Sequence, residues 1–343
     1  MTQISRPGIR HQPKPAPRAT ADVPDTISEA YLRQLGAYQN IRMATDPATT
    51  LMVIAGRAGR GKSSLFHSCP HAYVFNCDIS STPRKPKAMV WPGVRSDKTP
   101  VERNPSAPND PEQGNPIQLS WPLMLEKRAV LLEMAAKDIP NRPKLCVMDT
   151  TDAAASLCEQ WMVDEFNREH PTNIKESFYD IGTGGQYPKL YEHVWEFGAG
   201  LNKAGYGFVW IFHLRDKQIT ERVGNQSSTR LLTDQPQTWP NLWNLLLGNV
   251  ELVGVLDQER RSQMVQVPVR GPDGKQKVLN GKPQFRPEQR GEQVCMLRVT
   301  PSATSDFVKT RWAGLDQDIL LPKSDPWAAF ESTIRAADAA EDR

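Results

Sequence analysis

No apolar run in the 343 residues is long enough to cross a membrane as a helix. The first residues are polar and proline-rich and lack the apolar segment of a secretory leader. Cysteine is scarce. Cys69, Cys77, Cys146, Cys158 and Cys295 form no C-x-x-C pair, and Cys77, Cys146 and Cys295 sit in apolar, strand-like runs. They read as reduced core residues of a cytosolic protein, which excludes a disulfide scaffold. No His/Cys cluster has metal-ligand spacing, no Ser-His-Asp arrangement stands out, and there is no internal repeat. Neither sign of charge dominates: 42 basic and 39 acidic residues leave a net +3. That balance neither demands nor excludes a nucleic-acid partner.

What is present is concentrated around one stretch. The apolar run over residues 51–55 reads as a fully buried strand and feeds into Gly56-Arg57-Ala58-Gly59-Arg60-Gly61-Lys62-Ser63-Ser64. This is the phosphate-binding G-x-x-x-x-G-K-S pattern. A polyphosphate requires several backbone N–H groups aimed inward, and glycines allow the chain to curl that tightly. The following helix adds unpaired N–H groups and the positive end of its dipole. Lys62 is expected to reach the β- and γ-phosphates of ATP, and Ser63 to hold Mg²⁺. Arg57 and Arg60 add positive charge or are simply solvated.

The first 25 residues form a basic, proline-rich tail expected to be disordered. Thr26-Ile-Ser-Glu29 fits a capping box for a helix running to about residue 45. Further apolar runs end in polar residues: 72–77 before Asp78, 144–148 before Asp149, and 207–212 before His213. Helices are expected from Ser120, with a stripe of Leu125, Ala129, Leu132, Ala136 and Ile139; after Asp152 as a cap; and over Leu190, Val194, Phe197 and Leu201. Residues 80–118 look like an excursion with little core content, 214–238 like a polar loop, and 258–292 like an exposed hairpin. The fold expected is α/β, with a mainly parallel sheet covered on both faces and later antiparallel strands. One ATPase domain would span 26–330, with the terminal helix end and a tail over 331–343. In such sheets ligands bind at the carboxyl ends of strands, where the loop, Asp78, Asp149 and His213 all fall.

Asp149 is the expected partner of the loop in holding the Mg²⁺ shell. Asp78 is either the carboxylate that orients or deprotonates an attacking water, or a turn residue. His213 either senses the γ-phosphate or is structural. The segment 258–311 is rich in Lys and Arg, and Phe178, Tyr179 and Tyr187 are candidates for stacking on unpaired bases.

The G-x4-G-K-S loop, the acid-ended strands at Asp78 and Asp149, Tyr179-Asp180-Ile-Gly182, the strand ending in His213 and Val308-Lys309-Thr-Arg311 form a set. With them, the chain resembles phage-encoded RecA-like nucleotide-binding proteins, including ATP-dependent single-strand annealing proteins. The resemblance runs over about 48–330. It implies a RecA-type, Mg²⁺-dependent ATPase core, a homo-oligomer as ring or filament, and single-stranded DNA as partner. A single-strand-binding protein is a further implied partner, and the host cytoplasm the implied location. It also implies a role in annealing or recombination, with 172–187 and 214–238 near DNA. Lys309 and Arg311 match a Lys-x-Arg pair that reaches a neighbouring subunit's γ-phosphate. Asp78 falls where a catalytic Glu usually stands. That departure leaves open a nucleotide-gated interaction module with negligible turnover, beside a ring-forming DNA motor or helicase-loading ATPase.

Overall fold

A computed structural model of the chain describes residues 46–340 apart from 80–85, 108, 183, 224–225, 271–274, 280–281, 302–306 and 313; for 217–223, 226–234, 260–265, 279 and 288–293 it describes the backbone alone. The expected tail, the helix over 26–45 and the turn over 272–274 lie outside the described residues.

The core is a sheet whose parallel strands are β1 (Leu51–Gly56), β2 (Ala72–Asn76), β3 (Met89–Trp91), β7 (Leu145–Asp149), β8 (Gly207–Val223) and β10 (Leu252–Pro268). Between β3 and β7 stand β4 (Gly93–Val94), β5 (Pro100–Glu102) and β6 (Asn115–Pro116), which form a small sheet of their own. β9 (Gln226–Pro236) pairs antiparallel with β8, and β13 (Phe285–Arg298) with β10, while β11 (Val278–Leu279) and β12 (Lys282–Pro283) pair with each other. β14 (Lys309–Thr310) and β15 (Ile319–Leu321) complete the main sheet. Its order is β15-β13-β10-β1-β8-β7-β2-β3, with β14 on β10 and β9 on β8. β1 therefore lies between two parallel partners, and β8 separates it from β7.

Every residue of β1 and β7 is buried, and this explains their uninterrupted apolar sequences. The helices are α1 (Lys62–His67), α2 (Trp121–Ala136), α3 (Thr151–Glu169), α4 (Gln186–Lys203), α5 (Pro240–Asn249) and α6 (Pro326–Ala340). They fall into two packed groups, α2 to α5 together and α1 with α6, as a sheet covered on both faces requires. The expected α4 stripe of Leu190, Val194, Phe197 and Leu201 is buried. Gly198 belongs to the same face because a Cβ there would stand 2.3 Å from the Trp210 ring. Gly205, at φ +86°, ends the helix as a left-handed residue. The structure is thus the mixed α/β, mostly parallel fold of a P-loop nucleotide-binding core.

Four readings of the sequence need correction. The polar stretch after His213 is not a loop: β8 runs on to Val223 and returns as β9, forming an antiparallel ribbon. The stretch 80–118 is not without core content, because Met89–Trp91 adds a strand to the main sheet and Trp91 and Val101 are buried. In α2 the buried stripe is Trp121, Met124 and Leu131, while Ala129, Ala136 and Ile139 are exposed. Burying the large Trp121 ring against Phe197 sets the rotation of that helix. Finally, the N-cap of α3 is Thr150, and Asp152 lies inside its first turn.

Candidate functional site

The loop after β1 curls through two left-handed glycines, Gly59 at φ +74° and Gly61 at φ +94°. Such angles are costly for residues carrying a Cβ. The Lys62 ammonium is turned inward, donating to the carbonyls of Gly56 at 2.7 Å and Arg57 at 2.9 Å. Burial lowers its pKa, and the nearby carboxylates of Asp149, Asp152 and Asp78 act in the opposite direction. Ala58, Gly59 and Ser64 are exposed.

The loop is fastened on both sides. Arg57 pairs with Asp216 on β8 at 2.5 Å. Gln258 on β10 donates to the Gly59 carbonyl at 3.2 Å and accepts from Arg60 at 3.4 Å, and the Cys295 thiol on β13 donates to the Arg60 carbonyl at 3.1 Å. Cys77 and Cys295 are only half-buried, unlike Cys69, Cys146 and Cys158, and all five are free thiols.

Asp149 ends β7 with no exposed surface. Burial pushes its carboxyl up to about 6, against the pull of the nearby Ser63 hydroxyl and Lys62 ammonium. No donor makes a hydrogen bond of full geometry to either carboxylate oxygen. The His67 imidazole lies 3.8 Å away, but burial pushes it down to about 4, so it is neutral at pH 7. The Asp149 carbonyl accepts from the N–H groups of Cys77 (2.6 Å) and Asp78 (2.9 Å), fastening the end of β2 to that of β7. His213 is level with Gly56 across the β1–β8 pair. Its Nδ1 is 3.0 Å from an Asp152 oxygen, and its backbone N–H donates to the other at 3.4 Å.

Lys62, Ser63, Asp78, Asp149 and His213 thus gather at one edge of the sheet. Lys309 and Arg311 do not. β14 pairs with β10 at Leu252 and Val253, whereas Gly56 is level with Leu256. The separation along the strands is roughly 10 Å at Lys309 and more at Arg311. The Lys309 ammonium donates to the Leu247 carbonyl, and Arg311 pairs with Glu251 at 3.5 Å.

Sequence reasoning missed Asp152. Its carboxylate is the His213 partner, and the only local signal was a second acid one helical turn after Asp149. A cleft of about 630 Å³, lined by Asp78, Asp152 and His213 among others, opens beside this edge. Among the described residues no helix is long and apolar enough to cross a membrane. No curated protein matches the chain. A family model described as an AAA domain matches residues 48–286, more than half of the chain and all of the edge just described except the distant Lys309 and Arg311. On that match, and with its phosphate loop and buried acid on one sheet edge, the chain belongs to the AAA-domain family.

Proposed function

We propose that the chain is a RecA-like protein that binds and hydrolyses ATP, binds single-stranded DNA and promotes annealing or recombination. The observation that carries the nucleotide half is the pair formed by Lys62 and Asp149: an inward-turned ammonium beside a fully buried carboxylate whose near donor is the Ser63 hydroxyl. A buried acid this poorly supplied with donors is costly unless a cation meets it, so Asp149 and the Ser63 hydroxyl beside it suit Mg²⁺. Ser63 and Asp149, the latter through water, would hold the ion. When bound, Mg²⁺ offsets charge on the phosphate oxygens. The loop N–H groups and Lys62 bind and orient the phosphates. Asp78 orients the attacking water and accepts its proton, and His213, steadied by Asp152, reads the terminal phosphate.

The DNA half is supported by the two antiparallel ribbons that prolong β8 and β10, the neighbours of β1, past the phosphate loop. It is also supported by the exposed ring of Tyr179. Arg311 is 63% exposed and remote from its own loop, which favours a role at the nucleotide of a second copy in a ring or filament. The short Asp78 side chain favours a second reading, a nucleotide-gated module with little turnover; phosphate release in the presence of DNA discriminates the two.

Lys62→Ala should weaken ATP binding about a hundredfold or more, measured by titration with a fluorescent ATP analogue; unchanged affinity refutes the site. Oligonucleotide affinity should fall steeply across a salt series and respond to nucleotide. Absence of salt-dependent binding under every condition refutes the DNA half.

A further inference from the structure

The cleft beside the nucleotide edge has a chemistry of its own. Asp78, Thr150, Asp152 and His213 form the wall it shares with that edge, yet no residue of the phosphate loop lines it. Tyr179, on the short turn Phe178–Asp180, and Trp239, just before α5, both do. A ladder of rings joins these two, with centroids 6.3 Å apart at each step from Tyr179 to Tyr187, to Tyr191 and to Trp239. Three polar atoms of the lining residues are buried and have no hydrogen-bond partner among the described residues: Glu159 Oε1, Thr150 Oγ1 and Thr238 Oγ1. Thr150 is only 2% exposed. Buried polar atoms are almost always satisfied, so three orphans around one cleft point to a ligand that satisfies them. The exposed Arg215 adds a cation to the lining.

We infer that this cleft receives a single nucleobase. Its flat face stacks on Tyr179, the exposed end of the ring ladder, its edge exchanges hydrogen bonds with Glu159, Thr150 and Thr238, and Arg215 meets the attached phosphate. A cationic side chain would suit Glu159 and the other lining carboxylates, Asp78 and Asp152, but Asp152 is already engaged by His213, Arg215 would repel the cation, and no aromatic face would be used. A base edge carries both donors and acceptors. Because the Glu159 carboxylate accepts, bases with amino groups are favoured over thymine. Burial raises the Glu159 pKa, in keeping with a carboxyl screened from water. The base comes either from an unpaired strand, in which case the inference rests on the proposed DNA binding, or from a free mononucleotide.

The test uses the full chain and two probes, 2-aminopurine within an oligonucleotide and 2-aminopurine ribonucleoside monophosphate. Strand binding itself is followed separately, by anisotropy of an end-labelled oligonucleotide. The fluorescence of at least one 2-aminopurine probe should change on binding. Tyr179→Ala should weaken that response about tenfold, Tyr179→Phe should retain it, and Glu159→Gln should narrow the preference for adenine, cytosine and guanine over thymine. If the strand binds but neither 2-aminopurine probe responds, or the probe response is unchanged in all three variants, the inference falls and the DNA reading stands. A response to the mononucleotide alone, lost in Tyr179→Ala and without strand binding, upholds the cleft and overturns the DNA reading. Silence in all three measurements overturns both.

Discussion

At the amino end of β1 and β10, Glu251 accepts from the Leu51 N–H at 2.8 Å and from Arg311, while Lys309 donates to a backbone carbonyl. At the carboxyl end of the same sheet, Asp149, Thr150 and Thr151 are buried with side-chain oxygens that make no hydrogen bond of full geometry among the described residues. The two ends share one sheet but differ in burial: the Glu251 side chain is 24% exposed and that of Arg311 63%, whereas Asp149, Thr150 and Thr151 are closed to solvent. Water completes the partly exposed groups of the first end but does not reach the second, where the side-chain oxygens wait on a ligand or an ion. The difference separates groups that hold the fold from groups held ready for something else.

The strongest way to break the comparison is pH. The folded Asp149 carboxyl is pushed up from 3.8 to about 6 and the His67 imidazole down from 6.5 to about 4, both by burial. Between about pH 4 and 6, folded Asp149 keeps a proton that the unfolded chain has released, so its contribution to stability falls as pH rises. Folded His67 lacks a proton that the unfolded chain binds between about pH 4 and 6.5, so its contribution falls as pH drops. The two slopes oppose each other. Asp149→Asn removes one and should expose the other, with a loss of about 3 kcal/mol between pH 7 and pH 4 in urea titrations. Wild type should change far less, and equal slopes in the two proteins would contradict the burial of this pair.

Next in size, Glu251→Ala should cost about 1–3 kcal/mol in urea unfolding, because it strands the Leu51 N–H. A neutral result would mean that the amino end is no better satisfied than the other. Asp216→Ala, which breaks the exposed pair with Arg57, should cost less than about 1 kcal/mol. The smallest effect, and the most telling for the comparison, is at Thr151. Its hydroxyl is orphaned, so Thr151→Val should leave stability within about 0.5 kcal/mol of wild type or raise it. A large loss would reveal a partner for that hydroxyl within the fold.

Much of the sheet was legible because parallel strands buried on both faces keep uninterrupted apolar sequences, as in Leu51–Gly56 and Leu145–Asp149. The α4 face was legible because Leu190, Val194, Phe197 and Leu201 keep strict helical spacing. The ribbons were only partly so. Beyond His213 the chain turns polar, and its strand character depends on pairing with β9 rather than on a local apolar signal. Asp152 was misread for a related reason. Capping is a local pattern, but the partner that claims its carboxylate, His213, lies 61 positions further along the chain. Met89–Trp91 is too short to show a period at all. The loop and Asp149 could be named from sequence, whereas the orphaned state of Thr150, Glu159 and Thr238 appears only once the chain is folded.

The position of β1 between β8 and β10 carries one more consequence. Its backbone is paired on both sides from Met52 to Gly56, so its amide hydrogens can exchange with solvent only when the centre of the sheet opens. Fraying of the outer ribbons would leave that centre closed. Deuterium uptake at residues 52–56 should therefore be the slowest in the chain, and the curl that follows them should persist until the last cooperative step of unfolding.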